Sequence, residues 1–378
     1  MSRIVKFVYI YIGIVMFFIP VVMTVMEVRV GRPIQENRPK ASKPFFNENI
    51  LHYAGQYHKY FCDNYFGRDL SINIYNYIKF YIFYESPVPD RVLIGNNNYL
   101  FRVDRRKAEN VLDYKGCSIC SFQGFVTIPH QILTDRYKGL ITFKQWLADH
   151  NIKFYLVVVP DKETIYPEKM PQSIKKGMVT PTDQIINFLE DNGISVIDLR
   201  IPLWNAKNIQ YELYYQTDSH WNKLGAYVGY LEITAILSKD FNSIKPIIVK
   251  LENVSYTNFE SKGDLLLLLG AQTYPYYREA ILDYPVQYSI VSFQDGHKGK
   301  IVTQGKKGLP RALIYRDSMF CNQWQYLANN FSKAVFIWDY LWANNMIDSK
   351  FIESEKFDIV IIATVERYLK YYNDIIIQ

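Results

Sequence analysis

The chain has 378 residues, 49% hydrophobic and 21% charged, which excludes a disordered polypeptide and leaves enough apolar side chains for a large core. Its formal net charge of +6 falls in short clusters such as Arg105–Lys107 and Lys306–Lys307, not in the basic stripe of a nucleic-acid binder. Only one long apolar run is present, which excludes a polytopic membrane protein. The length suits two domains, or one α/β domain with insertions. The 32 Tyr against 6 Trp would suit a sugar-binding surface, but biased residue usage explains them more simply.

Phe7–Met26 is an uncharged stretch of the length needed to span a bilayer core as a helix. No small-residue cleavage site follows it; the chain continues Glu27-Val28-Arg29. Residues 1–30 therefore read as an uncleaved signal anchor and residues 31–44, with Pro33, Pro39 and Pro44, as a tether. Basic residues flank the run on both sides, so charge counting does not orient it. The remaining residues, 45–378, read as one domain. Its first part, 45–130, opens with aromatic residues at spacings of three and four (Tyr53, Tyr57, Tyr60, Phe61), which predict an amphipathic helical pair to Tyr84. Arg91–Gly95 and Tyr99–Arg102, separated by Asn96–Asn98, predict a hairpin. Cys117 and Cys120 have the spacing of half a zinc site, but no second ligand pair accompanies them. Zinc is not expected; a local disulfide and two plain thiols remain open.

Beyond Gln131 the pattern changes. Helices over 131–151, 182–191 and 223–239 alternate with apolar runs at 154–159 and 195–199. Further runs follow at 312–315, 334–338 and 358–363, separated by helical stretches over 322–331 and 344–354. Apolar strands alternating with helices predict an α/β fold, a parallel sheet covered on both faces. Residues 241–310 lack this alternation and read as an insertion. In such sheets chemistry gathers at the carboxyl ends of strands. That selects Pro160–Tyr166, Thr217–Asn222 and Arg316–Phe320.

Asp218 and His220 are two residues apart, so an extended segment puts both on one face. The carboxylate can then hold imidazole Nδ1 and leave Nε2 as a base. Ser318 ends a strand at a polar turn, a place where a hydroxyl is exposed and helical N–H groups can hold an oxyanion. Each segment alone has an ordinary explanation, an Asp or Ser capping a helix. Together they supply a nucleophile, a base and an orienting group at one rim of the sheet. Lys162 and Tyr166, after a strand, are candidates to position substrate. Trp221 is suited to stack on a sugar ring or to pack beside the motif, and Asn222 to orient the segment or cap the next helix. Arg316, beside Ser318, and Arg367 and Tyr368, past a strand, complete the substrate-binding candidates; a structural ion pair is the alternative for Arg367.

Several stretches resemble, in order, the alginate O-acetyltransferase family, whose catalytic domain is SGNH-hydrolase-like. They are Phe61–Arg68, Val92–Phe101, Val157–Glu168, Asp218–Ala226, Gly263-Asp264-Leu265, Arg316–Phe320 and Val365–Tyr368. Arg316 stands where SGNH enzymes have Gly. The resemblance implies an SGNH-hydrolase-like sheet flanked by helices. It implies acetyl transfer to hydroxyls of a cell-envelope or exported polysaccharide through acyl-Ser318, with His220 as base and Asp218 as its orienter. It implies a periplasmic catalytic domain on the bacterial inner membrane, anchored by residues 7–26, and a multispanning membrane acyltransferase relaying the acetyl group. No cofactor or metal is implied. The alternatives are an acetyl-esterase using the same three residues and a non-catalytic polysaccharide-binding scaffold.

Overall fold

The computed structural model describes residues 3–34, 39–46, 49–103, 118–124, 127–207, 212–250, 255–259, 263–270, 277–294, 299–338, 346–370, 372 and 375–378. Cys117, Arg105–Lys107 and His297 lie outside them. The chain divides into two compact units, Met1–Pro89 with Leu266–Tyr274, and Asp90–Leu265 with Pro275–Gln378.

The first unit opens with the helix Arg3–Val25. Its stretch Ile4–Val25 has a mean hydropathy of 2.4 and is long and apolar enough to cross a membrane. Two helices follow, Ile50–Asn64 and Arg68–Tyr77, the latter running on through Ile82 as a π turn. Gly67 sits between them at φ 79°, a left-handed corner that favours glycine. The described part of the expected tether is hydrogen-bonded onto this pair: Ala41 N donates to Asp63 Oδ2 at 2.8 Å, and the Lys40 ammonium lies 3.2 Å from Asp69. Thr24 Oγ1, in the last turn of the apolar helix, accepts from Phe66 N at 2.8 Å.

The second unit is built on a seven-stranded sheet. Its strands are β1 (Lys153–Val159), β2 (Ser195–Asp198), β3 (Ser289–Phe293), β4 (Lys300–Gln304), β5 (Arg311–Arg316), β6 (Lys333–Trp338) and β7 (Ile359–Val365). Their order across the sheet is β2-β1-β7-β5-β6-β4-β3. The pairs from β2 to β6 are parallel. The β3–β4 hairpin adds an antiparallel edge. Two strands of the sheet thus come from the stretch expected as an insertion.

Parallel strands buried on both faces need apolar residues at every position. In β1, Tyr155, Val157 and Val159 enter one core, and Phe154, Leu156 and Val158 enter the other. Helix His130–Asp149 covers the second face with Leu133, Tyr137, Leu140, Phe143 and Leu147, one stripe at spacings of three and four. Helix Pro181–Asp191 packs there too, its start fixed by a reciprocal cap between Thr180 and Asp183. Helix Lys223–Asp240 covers the first face with Trp221, which lies just ahead of it. Each aliphatic side chain fully buried in these layers contributes about 1.5–3 kcal/mol. The expected hairpin is present as Val92–Ile94 and Leu100–Arg102; Asn97 and Asn98 turn it at positive φ. The expected helix over 322–331 is shorter, an α turn over Trp324–Leu327 that tightens into a 3₁₀ turn.

This order places β1, β7 and β5 side by side. Their carboxyl ends lead into Pro160–Lys162, Glu366–Arg367 and Asp317–Ser318.

Candidate active site

The segment Tyr215–His220 is a loop closed at its base. Tyr214 and Trp221 form an antiparallel bridge, and Tyr215 N donates to His220 O at 3.3 Å. Inside it His220 N donates to Asp218 Oδ1 at 2.9 Å, and His220 Nδ1 lies 2.6 Å from the same oxygen. The loop therefore fixes the imidazole through both backbone and ring. His220 Nε2 lies 2.8 Å from Ser318 Oγ. The structure thus brings Ser318, His220 and Asp218 into one hydrogen-bonded row. The His220 side chain remains 26% exposed, so the row opens to solvent.

Ser318 begins a single 3₁₀ turn, Ser318–Cys321, directly after β5. Asp317 caps it: its Oδ1 accepts from Met319 N at 2.9 Å. Its other oxygen accepts from Val365 N, at the end of β7, at 2.7 Å. One carboxylate thus ties the serine turn to the neighbouring strand. From the other side, the buried Trp221 indole donates Nε1–H to Met319 O at 2.6 Å. The His220 and Ser318 segments are joined by this bond as well as by the His220–Ser318 contact.

Asp218 receives a further bond that sequence reading did not anticipate. Asp264 N donates to Asp218 Oδ2 at 2.9 Å, while the Asp264 carboxylate accepts from Ser219 N at 2.7 Å and Ser219 Oγ at 2.6 Å. The only earlier signal was the Gly263-Asp264-Leu265 pattern, with no role attached. Asp218, His220 and Asp264 also form a group with metal-ligand spacing. Both carboxylates there already accept hydrogen bonds from the protein, and imidazole Nε2 faces a hydroxyl.

Burial disfavours the charged imidazole, but the hydrogen bond and charge of Asp218 and the charge of Asp264 outweigh it. His220 is raised above its ordinary value as a result. Burial also works against ionisation of Asp218, yet its bond to His220 and the backbone N–H donors hold it below the ordinary carboxylate range. The row therefore holds a readily ionised carboxylate beside an imidazole whose charged form it stabilises. Asp317 is pushed up by burial.

The remaining candidates occupy distinct places. Lys162 is 2% exposed, and its ammonium donates to the carbonyls of Tyr215, Gln216 and Asp218 at 2.9, 3.0 and 2.6 Å. Tyr166 is buried, and its hydroxyl accepts from Leu213 N at 2.9 Å; burial pushes its pKa up to about 12. Asn222 caps helix Lys223–Asp240 through Gly225 N at 2.9 Å and donates to Glu212 O at 2.6 Å. Arg316 is 1% exposed, with its guanidinium 5.1 Å from the Trp338 ring centre and Nη1 3.8 Å from Cys321 Sγ. Arg367 is buried and ion-paired with Asp161, and it lies 5.1 Å from the Tyr368 ring centre. Tyr368 packs partly buried against the first-face core. Glu366 completes this corner by accepting from Asp161 N at 3.0 Å and Thr164 Oγ1 at 2.7 Å. Cys120 is disulfide-bonded, whereas Cys62 and Cys321 are free thiols.

Residues 123–295 match the family described as SGNH hydrolase-like domain, acetyltransferase AlgX. The chain is 27% identical over 184 residues to a probable alginate O-acetylase AlgJ of Azotobacter vinelandii; the match covers 46% of this chain and 40% of that relative. Among solved structures, Bacillus cereus PatB1 with a sulfonyl adduct aligns with a TM-score of 0.51 at 14% identity, over 75% of this chain and 99% of that one. The O-acetyltransferase domain of Pseudomonas putida AlgJ aligns with a TM-score of 0.48 at 17% identity, over 75% of this chain and 94% of that domain.

Proposed function

With residues 123–295 matched to the SGNH hydrolase-like acetyltransferase family, we propose that this chain is a polysaccharide O-acetyltransferase working through a covalent acetyl-serine. In the first half-reaction His220 Nε2 takes the Ser318 Oγ proton as the oxygen attacks the donor's acetyl carbon. The donor's leaving group then departs with that proton. In the second half-reaction His220 takes a proton from an acceptor hydroxyl, the new oxygen attacks the acetyl carbon, and Ser318 Oγ recovers the proton on leaving. Asp218 holds the tautomer that keeps Nε2 free and stabilises the imidazolium formed in each half. The Ser318 N–H serves as one oxyanion donor.

The observation that carries this reading is the 2.8 Å contact between His220 Nε2 and Ser318 Oγ, with Asp218 behind the ring. The similarity to a probable alginate O-acetylase supports a polysaccharide acceptor. The apolar helix Ile4–Val25 is consistent with a membrane anchor for a periplasmic domain, with the acetyl group relayed by a membrane acyltransferase.

The test pairs a sulfonyl fluoride probe with an acetyl-transfer assay on the purified full chain and its Ser318→Ala variant. The wild type is expected to be labelled at Ser318 and to acetylate an oligosaccharide acceptor. Ser318→Ala is expected to keep its melting temperature and lose at least about 10⁴-fold in rate. Release of free acetate alone would turn the reading to an esterase. Absence of labelling would leave a binding scaffold.

A further inference from the structure

Lys162 takes no part in the proton relay, yet it is buried immediately behind it. Its three bonds all go to main-chain carbonyls of the segment leading into His220: Tyr215, Gln216 and Asp218. An ammonium carries three N–H groups and no acceptor, so three carbonyls use its whole donor set. A neutral amine keeps two and turns a lone pair toward the third carbonyl. Asp264 grips the same segment from the side chain of Ser219 and the carboxylate of Asp218. Lys162 is therefore the cationic half of a two-sided grip on the base.

We propose that Lys162 is a positioning residue, whose buried ammonium clamps the carbonyls of Tyr215, Gln216 and Asp218 and so holds the Asp218–His220 pair at Ser318. The proposal rests on Ser318 being the nucleophile and His220 its base. It differs from the substrate-positioning role expected from sequence, because the ammonium is committed to the main chain.

Burial brings the Lys162 pKa down to about 8. The groups facing it are Asp218 and Asp264, Glu163 on its own turn and Glu212, all of which favour the charged form. The rings of Tyr99 and Phe101, 5.8 and 5.5 Å away, do the same. The clamp therefore weakens in mildly alkaline solution.

The test measures the rate of Ser318 labelling by a sulfonyl fluoride, from acidic to alkaline pH, on the detergent-purified full chain. In the wild type the rate should rise as His220 is deprotonated and fall again above about pH 8. Lys162→Met keeps the buried stem and removes the donors; its labelling should slow by about 10–100-fold. Lys162→Arg stays charged throughout and should lack the alkaline fall. A residue that only supported the fold would lower the melting temperature and leave the labelling rate of folded Lys162→Met unchanged, which overturns the proposal. If Lys162→Met does not fold, an identical alkaline fall in wild type and Lys162→Arg overturns it instead. Wild type labelled no faster than Ser318→Ala removes the nucleophile reading, and this proposal with it.

Discussion

His220 is raised while burial alone would lower it, and the direction has two consequences of opposite sign. The base works only when neutral, so acetyl transfer should climb with pH through a midpoint above the free imidazole value of about 6.5. Stability runs the other way. The charged ring gains its partner on folding, so its contribution is full below about pH 6.5 and is lost as pH rises through the folded value. Over that interval the melting temperature should fall while activity rises. A pH series of thermal melts on wild type and His220→Gln checks this, since the slope should flatten in the variant. Asp218→Asn removes the leading raising influence, so its activity midpoint should move to lower pH, with a rate loss of about 10⁴-fold. The Asp218–His220 pair was legible in the sequence because its geometry is local: the two residues are two apart, and one carboxylate oxygen of Asp218 holds both the His220 N–H and its ring. Lys162 and Asp264 were not legible in these roles. Their bonds run largely to main-chain atoms, which leave no pattern of paired side chains.

At the scale of elements, the site depends on how closely helix Lys223–Asp240 approaches the loop before it. A Cβ on Gly225 would lie 2.3 Å from Leu213 O, and one on Gly229 would lie 3.0 Å from the Trp221 ring. Gly225→Ala must push the helix start away from the loop and should cost about 1–3 kcal/mol, read as a lower melting temperature, with slower Ser318 labelling. Arg367 and Asp161 tie the turn after β7 to the turn after β1. Removing one side of a buried pair costs about 3–5 kcal/mol, so Arg367→Ala should destabilise strongly, and chemical denaturation would show it. Most of these elements follow from hydrophobic periodicity. Tyr137, Leu140 and Phe143 lie on one stripe, and β1 and β7 are apolar at nearly every position. The β3–β4 edge escaped because β3 is exposed along most of its length and shows no clean alternation. A strand at a sheet margin has little to bury, and burial is what writes the pattern.

At the scale of the molecule, the apolar helix Arg3–Val25 and the sheet-based unit make separate demands. The chain should sediment with membranes and be released by detergent but not by alkaline carbonate, whereas removal of residues 1–26 should send it to the soluble fraction. Retention on membranes after that deletion would count against the anchor. The sheet carries a different consequence. The middle one of its five parallel strands, β7, is the last of all seven in the chain, and it sits between β1 and β5, which carry the lysine turn and the serine turn. A nascent polypeptide that has already emerged as far as the serine still lacks the slat between those two strands, and the parallel ladder has a gap at its centre. The row of Ser318, His220 and Asp218 should therefore come together only once residues 359–365 have entered the sheet. A ribosome that stops before residue 359 leaves behind an open sheet, with no strand between the lysine turn and the serine turn.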